Sequence, residues 1–454
     1  MLERDEAFFS KCDGDDVVDT SSSSTCPDQT RSLLNVHFVA MLMQMLSPFV
    51  GHTCDTYGPF VMMIFTSVAA LLGVALLIVS RRFLVDWLLY PAFMLLDLTG
   101  NSTSVMIMIT GRYFAMKATN VEKTTTHDED SSAPPSNISN KKRRRAIGVL
   151  NNLFDGGSVT YLLLWEIQKA RPNISLQELA VGYFIWGVFL FGGALFFWKR
   201  LLAYFEASTS MVEEEKLAMS VKEDPNESNE EDTDESKKKE WKELLSPSYL
   251  WLNAFFAFHV SRQQFMLTSA EAFLKDLGDD DNTYIETFTY ILPASILVFP
   301  FVDIILARFG YHAGLQGINI LALIHATIQI SSDNLNVQII GFVVFSIYRS
   351  FMFGVIFPFL GVLLQPQVLG KANGLMHVSS GIMVLINIPL GDAAIAHWGG
   401  SFFIPNLIYT ITIAPFVYAA WRCSATISAK SGDQEDVTDT PTGNEEVMEK
   451  MDLN

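Results

Sequence analysis

The sequence is poor in cysteine and in charged residues: it has four cysteines among 454 residues, and 18% of its residues are charged. Four cysteines are too few for a disulfide scaffold. The amino terminus lacks the basic region and apolar core of a signal peptide. The chain contains no phosphate-binding glycine-lysine loop, metal-ligand cluster or nucleophile elbow. We therefore expect neither an enzyme nor an ATP-driven pump, and no catalytic residue, metal or cofactor.

The negative charge is concentrated in two polar segments. The net charge of the chain is -18, and residues 206–235 contribute -10 of it while residues 430–454 contribute -6. The rest of the chain is nearly neutral. The isoelectric point therefore does not argue for a basic or acidic ligand, and we expect no nucleic-acid partner.

Half of the residues are hydrophobic, and they occur in long runs. Each run has about the 20 residues that a helix needs to cross a bilayer, and unbroken runs of this length favour helices over barrel strands. The chain is thus expected to be an all-α membrane protein. The predicted segments are 33–50, 59–79, 84–110, 146–165 and 180–198, followed by 248–269, 285–307, 313–331, 337–360, 372–390 and 402–421.

The polar segments divide the chain into five parts. We expect an extracellular segment (1–32), an N-terminal membrane half (33–198), an acidic linker (199–245), a C-terminal membrane half (246–421) and an acidic tail (422–454). The linker and the tail are predicted to be disordered, because like charges repel and there is little to bury. They are also candidate surfaces for cytosolic partners. A soluble two-domain protein is the alternative, and the length of the apolar runs argues against it.

The distribution of lysine and arginine predicts the orientation. With the linker in the cytosol, the inner loops carry 21 basic residues and the outer stretches carry 8. Inner loops of membrane proteins are rich in lysine and arginine. We therefore expect the linker and the C-terminus to be cytosolic, with the plasma membrane as the location.

A glycine-rich pattern lies between the first two apolar segments. Gly51, Asp55 and Gly58 have the spacing G-x-x-x-D-x-x-G, and Pro59 follows. In a tight cytosolic turn, the glycines permit the sharp bend and a close approach of helices, and the carboxylate caps a helix N-terminus or pairs across the bundle. This pattern is the loop signature of the major facilitator superfamily, in which it follows the second helix. The resemblance implies two six-helix halves, with about 11 helices present and the first helix missing upstream.

Several further stretches resemble solute carrier family 43, the sodium-independent transporters of large neutral amino acids. They are the run from Cys26 to Asn35, the run from Phe154 to Ser158, the run from Ser246 to Trp251 with Arg262 downstream, and Tyr348-Arg349-Ser350. The resemblance implies facilitated diffusion of branched-chain and aromatic amino acids by alternating access around a midplane site.

Arg262 and Arg349 are the main candidates for substrate binding. Both lie deep inside predicted helices, where an arginine faces a cavity or a partner. A guanidinium at that depth could hold the substrate carboxylate with two hydrogen bonds. Alternatively, one or both arginines pair with Asp97 and lock the halves together. Asn101 and Gln263 are candidate cavity-lining residues or interhelical hydrogen-bond partners.

Other functions share these features. Asp97, His259 and His325 could couple transport to protons, or could be hydrogen-bonded interior groups. A transporter of another small organic solute, a non-transporting receptor or scaffold, and an inactive truncated fragment also remain alternatives. The phenylalanine runs near 191–197 and 255–258 are expected to face lipid.

Modification sites follow from the predicted topology. Cys12 and Cys26 share the outer segment, where a disulfide is permitted. Among the four Asn-x-Ser/Thr sequons, Asn173 lies in an outer loop, whereas Asn137 and Asn226 are inside and Asn101 is in a helix.

The orientation predicts a single glycan. Expressed in a glycosylating host, the protein should carry at most one N-linked glycan, which is lost in Asn173→Gln, because only Asn173 is exposed to the glycosylation machinery. Gel mobility before and after deglycosylation measures this. A glycan on Asn137 would contradict the orientation.

Overall fold

The computed structural model describes residues 7–8, 27–100, 102–103, 158–171, 173–220, 241–364, 368–398 and 401–422. Within these ranges the chain is helical and contains no β-strand. This agrees with the predicted class, because a helix satisfies its backbone hydrogen bonds within one segment, as the bilayer interior requires.

The N-terminal half consists of five described helices. They are α1 (Pro27–Met41), α2 (Ser47–Phe83), α3 (89–100), α4 (Ser158–Ala170) and α5 (Leu176–Ser220). Short 3₁₀ turns at Leu42–Leu46 and Asp86–Leu88 precede α2 and α3. Residues 7 and 8 are also described, and both are buried against this half.

The C-terminal half follows with eight described helices. They are α6 (Pro247–Asp276), α7 (Thr283–Ile291), α8 (Phe299–Ser331), α9 (Leu335–Leu363), α10 (Leu369–Val384), α11 (Asn387–Ala396), α12 (Phe403–Ile411) and α13 (414–422). The start of α6 shows why a helix begins there: Pro247 occupies the first turn, and the backbone N–H of Tyr249 donates to the Ser246 hydroxyl at 3.4 Å. Both are common helix-start signals.

Seven spans within the described residues are long and apolar enough to cross a membrane: Arg31–Thr53, Phe60–Phe83, Leu176–Phe197, Thr283–Ser331, Leu335–Leu363, Leu369–Ala396 and Phe403–Arg422. The 49-residue span contains Gly310, whose φ of 72° is a left-handed value that interrupts the helix. Only glycine adopts this conformation readily. This span therefore covers the two predicted segments 285–307 and 313–331.

The predicted tight turn at Gly51, Asp55, Gly58 and Pro59 is not a separate loop. All four residues lie inside α2, and Asp55, Gly58 and Pro59 lie between the spans that end at Thr53 and begin at Phe60. The prediction depended on glycine and proline as helix breakers. A proline in a helix removes one hydrogen bond at a cost of about 3 kcal/mol, which the surrounding structure can offset.

The acidic linker is helical over its first part. Helix α5 continues to Ser220, so the prediction of disorder from residue 199 is wrong up to that point. Residues 201–220 include alanine, leucine, methionine, glutamate and lysine, which are good helix formers. Extending an existing helix also avoids the cost of nucleation. The rest of the linker up to residue 240 lies outside the described residues.

The main hydrophobic core lies in the C-terminal half. Phe255, Phe256 and Phe258 of α6 are at most 2% exposed and belong to this core. The expectation that this run faces lipid is therefore wrong, because other helices surround α6. The expectation that the run near 191–197 faces lipid holds for Phe196 and Phe197, because both are mostly exposed.

The two halves pack closely through α2 and α10. A Cβ atom on Gly374 would lie 2.8 Å from the Pro48 Cα atom, and one on Gly51 would lie 3.0 Å from the Gly370 carbonyl oxygen. A Cβ would therefore collide with backbone atoms of the other half. These glycines allow the two helices to approach at backbone distance, as small residues do in membrane helix pairs.

Gly374→Ala should therefore destabilise the protein by about 1–3 kcal/mol, the usual cost of overpacking. The expected result is a lower midpoint of thermal unfolding in detergent. Gly192→Ala is the matched control: Gly192 has open space around its Cα, and alanine favours a helix by up to about 1 kcal/mol. Equal stability of the two variants would contradict the close packing of α2 on α10.

Candidate functional site

Four consecutive polar residues lie at the middle of α6. Helix α6 has 30 residues, and the stretch Ser261–Gln264 lies near its centre. Successive helical residues are about 100° apart, so four of them cover most of the circumference. Each of these side chains therefore faces a different part of the protein, and together they form a polar belt around α6.

Ser261 faces α11 and α12. Its hydroxyl lies 2.9 Å from the Tyr409 hydroxyl and donates to the Asn387 side-chain oxygen at 3.2 Å. The Asn387 amide donates back to the Ser261 carbonyl at 3.0 Å, and Tyr409 also hydrogen-bonds Asn387. All three residues are buried. This cluster fixes the position of α11 and α12 relative to α6.

His259, one turn away on α6, connects to α8 and α9. Its Nδ1 lies 2.7 Å from the Tyr348 hydroxyl and its Nε2 lies 3.1 Å from Asn319 Oδ1. The imidazole is fully buried, and both ring nitrogens have partners. His259 is thus a hydrogen-bonded interior group in this conformation.

Arg262 points into the C-terminal half. Its Nη2 lies 3.4 Å from His325 Nδ1, while Nη1 has no hydrogen-bond partner among the described residues. The side chain is 4% exposed. The amide nitrogen of Gln263 and Nε2 of His325 are likewise buried without a partner within the described part of the chain. Arg262 and His325, which hydrogen-bond each other, thus each keep one buried nitrogen without a partner among the described residues.

Gln264 points toward the N-terminal half. It faces His37 of α1. Gln264 and Arg262 are two positions apart, hence about 200° apart around α6. The same stretch of α6 therefore presents an arginine to the C-terminal half and an amide to the N-terminal half.

Asp97 lies in the N-terminal half. It lines a cavity in the N-terminal half together with His37. Arg262 has no ion pair with Asp97; its described hydrogen bond is with His325. The structure therefore does not bring these two predicted partners together.

The remaining predicted site residues are scattered. Arg349 is half-buried on α9, with its guanidinium carbon 5.7 Å from the centre of the Phe353 ring. Asn173 is in an exposed turn between α4 and α5, as its predicted glycosylation requires. Asn101, Cys12 and Cys26 lie outside the described residues, so the disulfide and the role of Asn101 stay predictions.

Sequence reasoning missed Asn319 of α8 and Tyr409 of α12, the hydrogen-bond partners of His259 and Ser261. Each is a polar residue within an apolar run, the same signal that identified His259. That signal marks a group that needs a partner, but it does not identify the partner.

No protein-family model matches the chain, and no curated protein matches it in sequence. Among solved structures, the chain is similar to the major facilitator superfamily proton:xylose symporter XylE bound to 6-bromo-6-deoxy-D-glucose, with a TM-score of 0.60 and 10% identity over 92% of this chain and 90% of that one. It also matches the human organic anion transporter MFSD10 (TETRAN) with a TM-score of 0.48 and 12% identity over 86% of this chain and 82% of that one.

The similarity to the symporter confirms the predicted fold class: the chain has the major facilitator fold. At 10% identity the similarity extends to the fold alone. The resemblance to solute carrier family 43 stays a prediction.

Tyr348→Phe tests the hydrogen bond between Tyr348 and His259. The change leaves Nδ1 of His259 buried without its 2.7 Å partner, which should cost about 1–3 kcal/mol. The expected result is a lower midpoint of thermal unfolding of the purified protein.

Tyr418→Phe is the matched control, because the Tyr418 side chain is 51% exposed. A change there should alter stability by less than about 0.5 kcal/mol. If both variants unfold at the temperature of the unmodified protein, the Tyr348–His259 hydrogen bond does not stabilise the fold.

Proposed function

We propose that the chain is a transmembrane transporter that moves a small organic solute by alternating access between its two halves. The observation that carries the proposal is the major facilitator fold, shared with a symporter over about nine tenths of both chains. In this fold the solute binds near the bilayer midplane and the halves rock around it. The charge distribution supports a cytosolic C-terminus, and the proposed uptake of solute from outside the cell fits a plasma-membrane location.

The contacts that connect the halves at one end support such a movement. Arg31 of α1 donates to both carboxylate oxygens of Asp392 on α11, at 2.8 and 3.1 Å. Lys169 of α4 pairs with Glu286 of α7 at 2.6 Å. The predicted topology puts both pairs on the outer face. Exposed ion pairs contribute only about 0–1 kcal/mol each, so they can break and re-form during a transport cycle.

For the substrate class, we propose neutral amino acids with branched or aromatic side chains. The support is the unused hydrogen-bonding capacity at the midpoint of α6: Nη1 of Arg262, the Gln263 amide nitrogen and Nε2 of His325 are buried without partners among the described residues. A buried donor without a partner is costly, and a substrate carboxylate would supply the acceptor. Guanidinium binds carboxylate with two parallel hydrogen bonds.

This substrate assignment requires a change at α6. Arg262 faces the C-terminal half and hydrogen-bonds His325 in the present conformation. The 3.4 Å bond is long, so it is easily exchanged for a shorter bond to a carboxylate. We propose that this exchange accompanies solute binding.

Arg262→Lys tests the substrate class. The purified protein in proteoliposomes should take up radiolabelled leucine and phenylalanine. In the variant, the apparent affinity should fall about 10- to 150-fold, because lysine loses the paired hydrogen bonds worth about 1.5–3 kcal/mol. Concentration-dependent uptake measures the change.

Arg82→Lys is the control, since Arg82 is exposed at the end of α2. It should transport like the unmodified protein. Uptake of neither amino acid by the unmodified protein would contradict the substrate class, and unchanged affinity in Arg262→Lys would contradict the role of Arg262. If no solute in a wider panel of sugars, organic acids and amines is taken up, the transport proposal itself is wrong.

A further inference from the structure

The N-terminal half encloses a large apolar cavity. It has a volume of about 640 Å³ and lies among α1, α2, α3, α4 and α5. Most of its wall is aliphatic or aromatic, as at Met41, Phe93, Leu164 and Leu179. The volume is within the range of about 300–1,000 Å³ that small-molecule sites occupy. The size and the lining are thus those of a ligand site.

One carboxylate lies in this apolar wall. Asp97 of α3 is the one acidic side chain among the described lining residues, and His37 and Tyr183 are the other titratable ones. A carboxylate inside a membrane half is costly, and it favours cationic partners. Its two oxygens accept several hydrogen bonds, so it can bind a ligand in addition to other partners.

We propose that this cavity is a binding site for an apolar molecule that carries a protonated amine. The apolar body would fill the space between α1 and α5, and the ammonium would donate to Asp97. This site is distinct from the proposed carboxylate site, because Arg262 lies on α6 and faces the C-terminal half, whereas the described residues that line the cavity belong to the N-terminal half.

Ala7 and Phe8 pack beside the cavity. Phe8 is 4% exposed and packs in a cluster with Leu77 and Phe93, which also line the cavity. Its backbone N–H donates to Asp86 Oδ2 at 2.9 Å, and Gln29 donates to the Ala7 carbonyl at 2.8 Å.

The backbone of Phe8 indicates that tertiary contacts hold it in place. Its φ of 61° is left-handed, which a bulky residue adopts only when its surroundings impose it. Phe8 is therefore held beside the cavity by hydrogen bonds and packing.

A second cavity offers a lateral route into the first. It has a volume of about 660 Å³ and shares Leu164, Leu179 and Tyr183 with the first cavity. It lies between α4 and α5, where Ile167 and Trp186 are about half exposed. On a membrane helix these exposed apolar side chains face lipid. An apolar amine dissolved in the bilayer could thus enter between α4 and α5 without displacing Phe8.

The test compares three molecules with one apolar body: 4-phenylbutylamine, 4-phenylbutanol and 4-phenylbutyrate. Binding to the purified full-length chain in lipid nanodiscs is measured by isothermal titration calorimetry. The amine should bind about 10- to 150-fold more tightly than the alcohol, the value of a hydrogen bond to a charged group. The acid should bind more weakly than the alcohol, because its charge has the same sign as that of Asp97.

Substitutions test whether the amine binds in this cavity. Asp97→Asn should abolish the preference for the amine, whereas the matched carboxylate-to-amide change Glu271→Gln should keep it, since Glu271 is an exposed residue of α6 paired with Lys275. Ala180→Trp adds bulk inside the cavity and should weaken the binding of the amine and the alcohol alike, with Asp97 intact.

Several outcomes would overturn the proposal. They are equal affinity for the amine and the acid, a preference for the amine that persists in Asp97→Asn, binding unaffected by Ala180→Trp, and a bound lipid that excludes the amine and the alcohol. The comparison of the three molecules on the unmodified protein needs no variant, so a folding defect in Asp97→Asn leaves the test intact. Because binding is measured without transport, failure of amino acid uptake would leave this result standing, and the reverse also holds.

Discussion

A polar side chain inside a membrane must find its hydrogen-bond partner within the protein, and the arrangement around α6 depends on this constraint. His259 and Ser261–Gln264 lie within the membrane segment 248–269 that the sequence predicts, so each is expected to require a neighbour. The partners come from α8, α9, α11 and α12 on one side, while Gln264 faces His37 of α1 on the other. Hydrophobic matching with lipid cannot choose among helix neighbours, because lipid tails are as apolar as leucine. The polar contacts and the close-packed glycines can determine which helices become neighbours.

The interiors of the two halves are packed differently. The C-terminal half has a continuous core of buried aromatic and aliphatic residues around α6 and α9. The N-terminal half has only small buried clusters in its described part, together with two cavities that meet at Leu164, Leu179 and Tyr183. A half with a filled core moves as a rigid body, because close-packed interiors transmit strain. A half with cavities can accept a ligand in its interior, and this difference separates the two proposed sites.

The two proposed sites also differ in charge. Arg262 offers buried donors to an anionic group, whereas Asp97 offers acceptors to a cationic one. A zwitterionic amino acid and an apolar amine are the molecules that suit them. His37 lines the cavity and faces Gln264, so a ligand there would contact the boundary between the halves. Occupation of the amine site would then bear directly on the movement that transport requires.

The sequence by itself determined the class of the protein. Apolar runs of membrane length leave helices as the way to satisfy backbone groups in lipid, and the spacing of Gly51, Asp55 and Gly58 identified the superfamily whose fold the structure has. The sequence also marked His259, Arg262 and Asp97 as interior groups, because polar residues are conspicuous in apolar runs. It failed at Ser220, where helix propensity extended α5 into a segment predicted to be disordered, and at Phe255, where an apolar residue could face either lipid or protein. Only the tertiary structure decided that Arg262 meets His325 and not Asp97, that Asp97 lines an apolar cavity, and that Phe8 packs beside it. A sequence states that a buried charge needs a partner, but the partner depends on the rotation and neighbours of each helix, which are set by contacts between residues far apart in the chain.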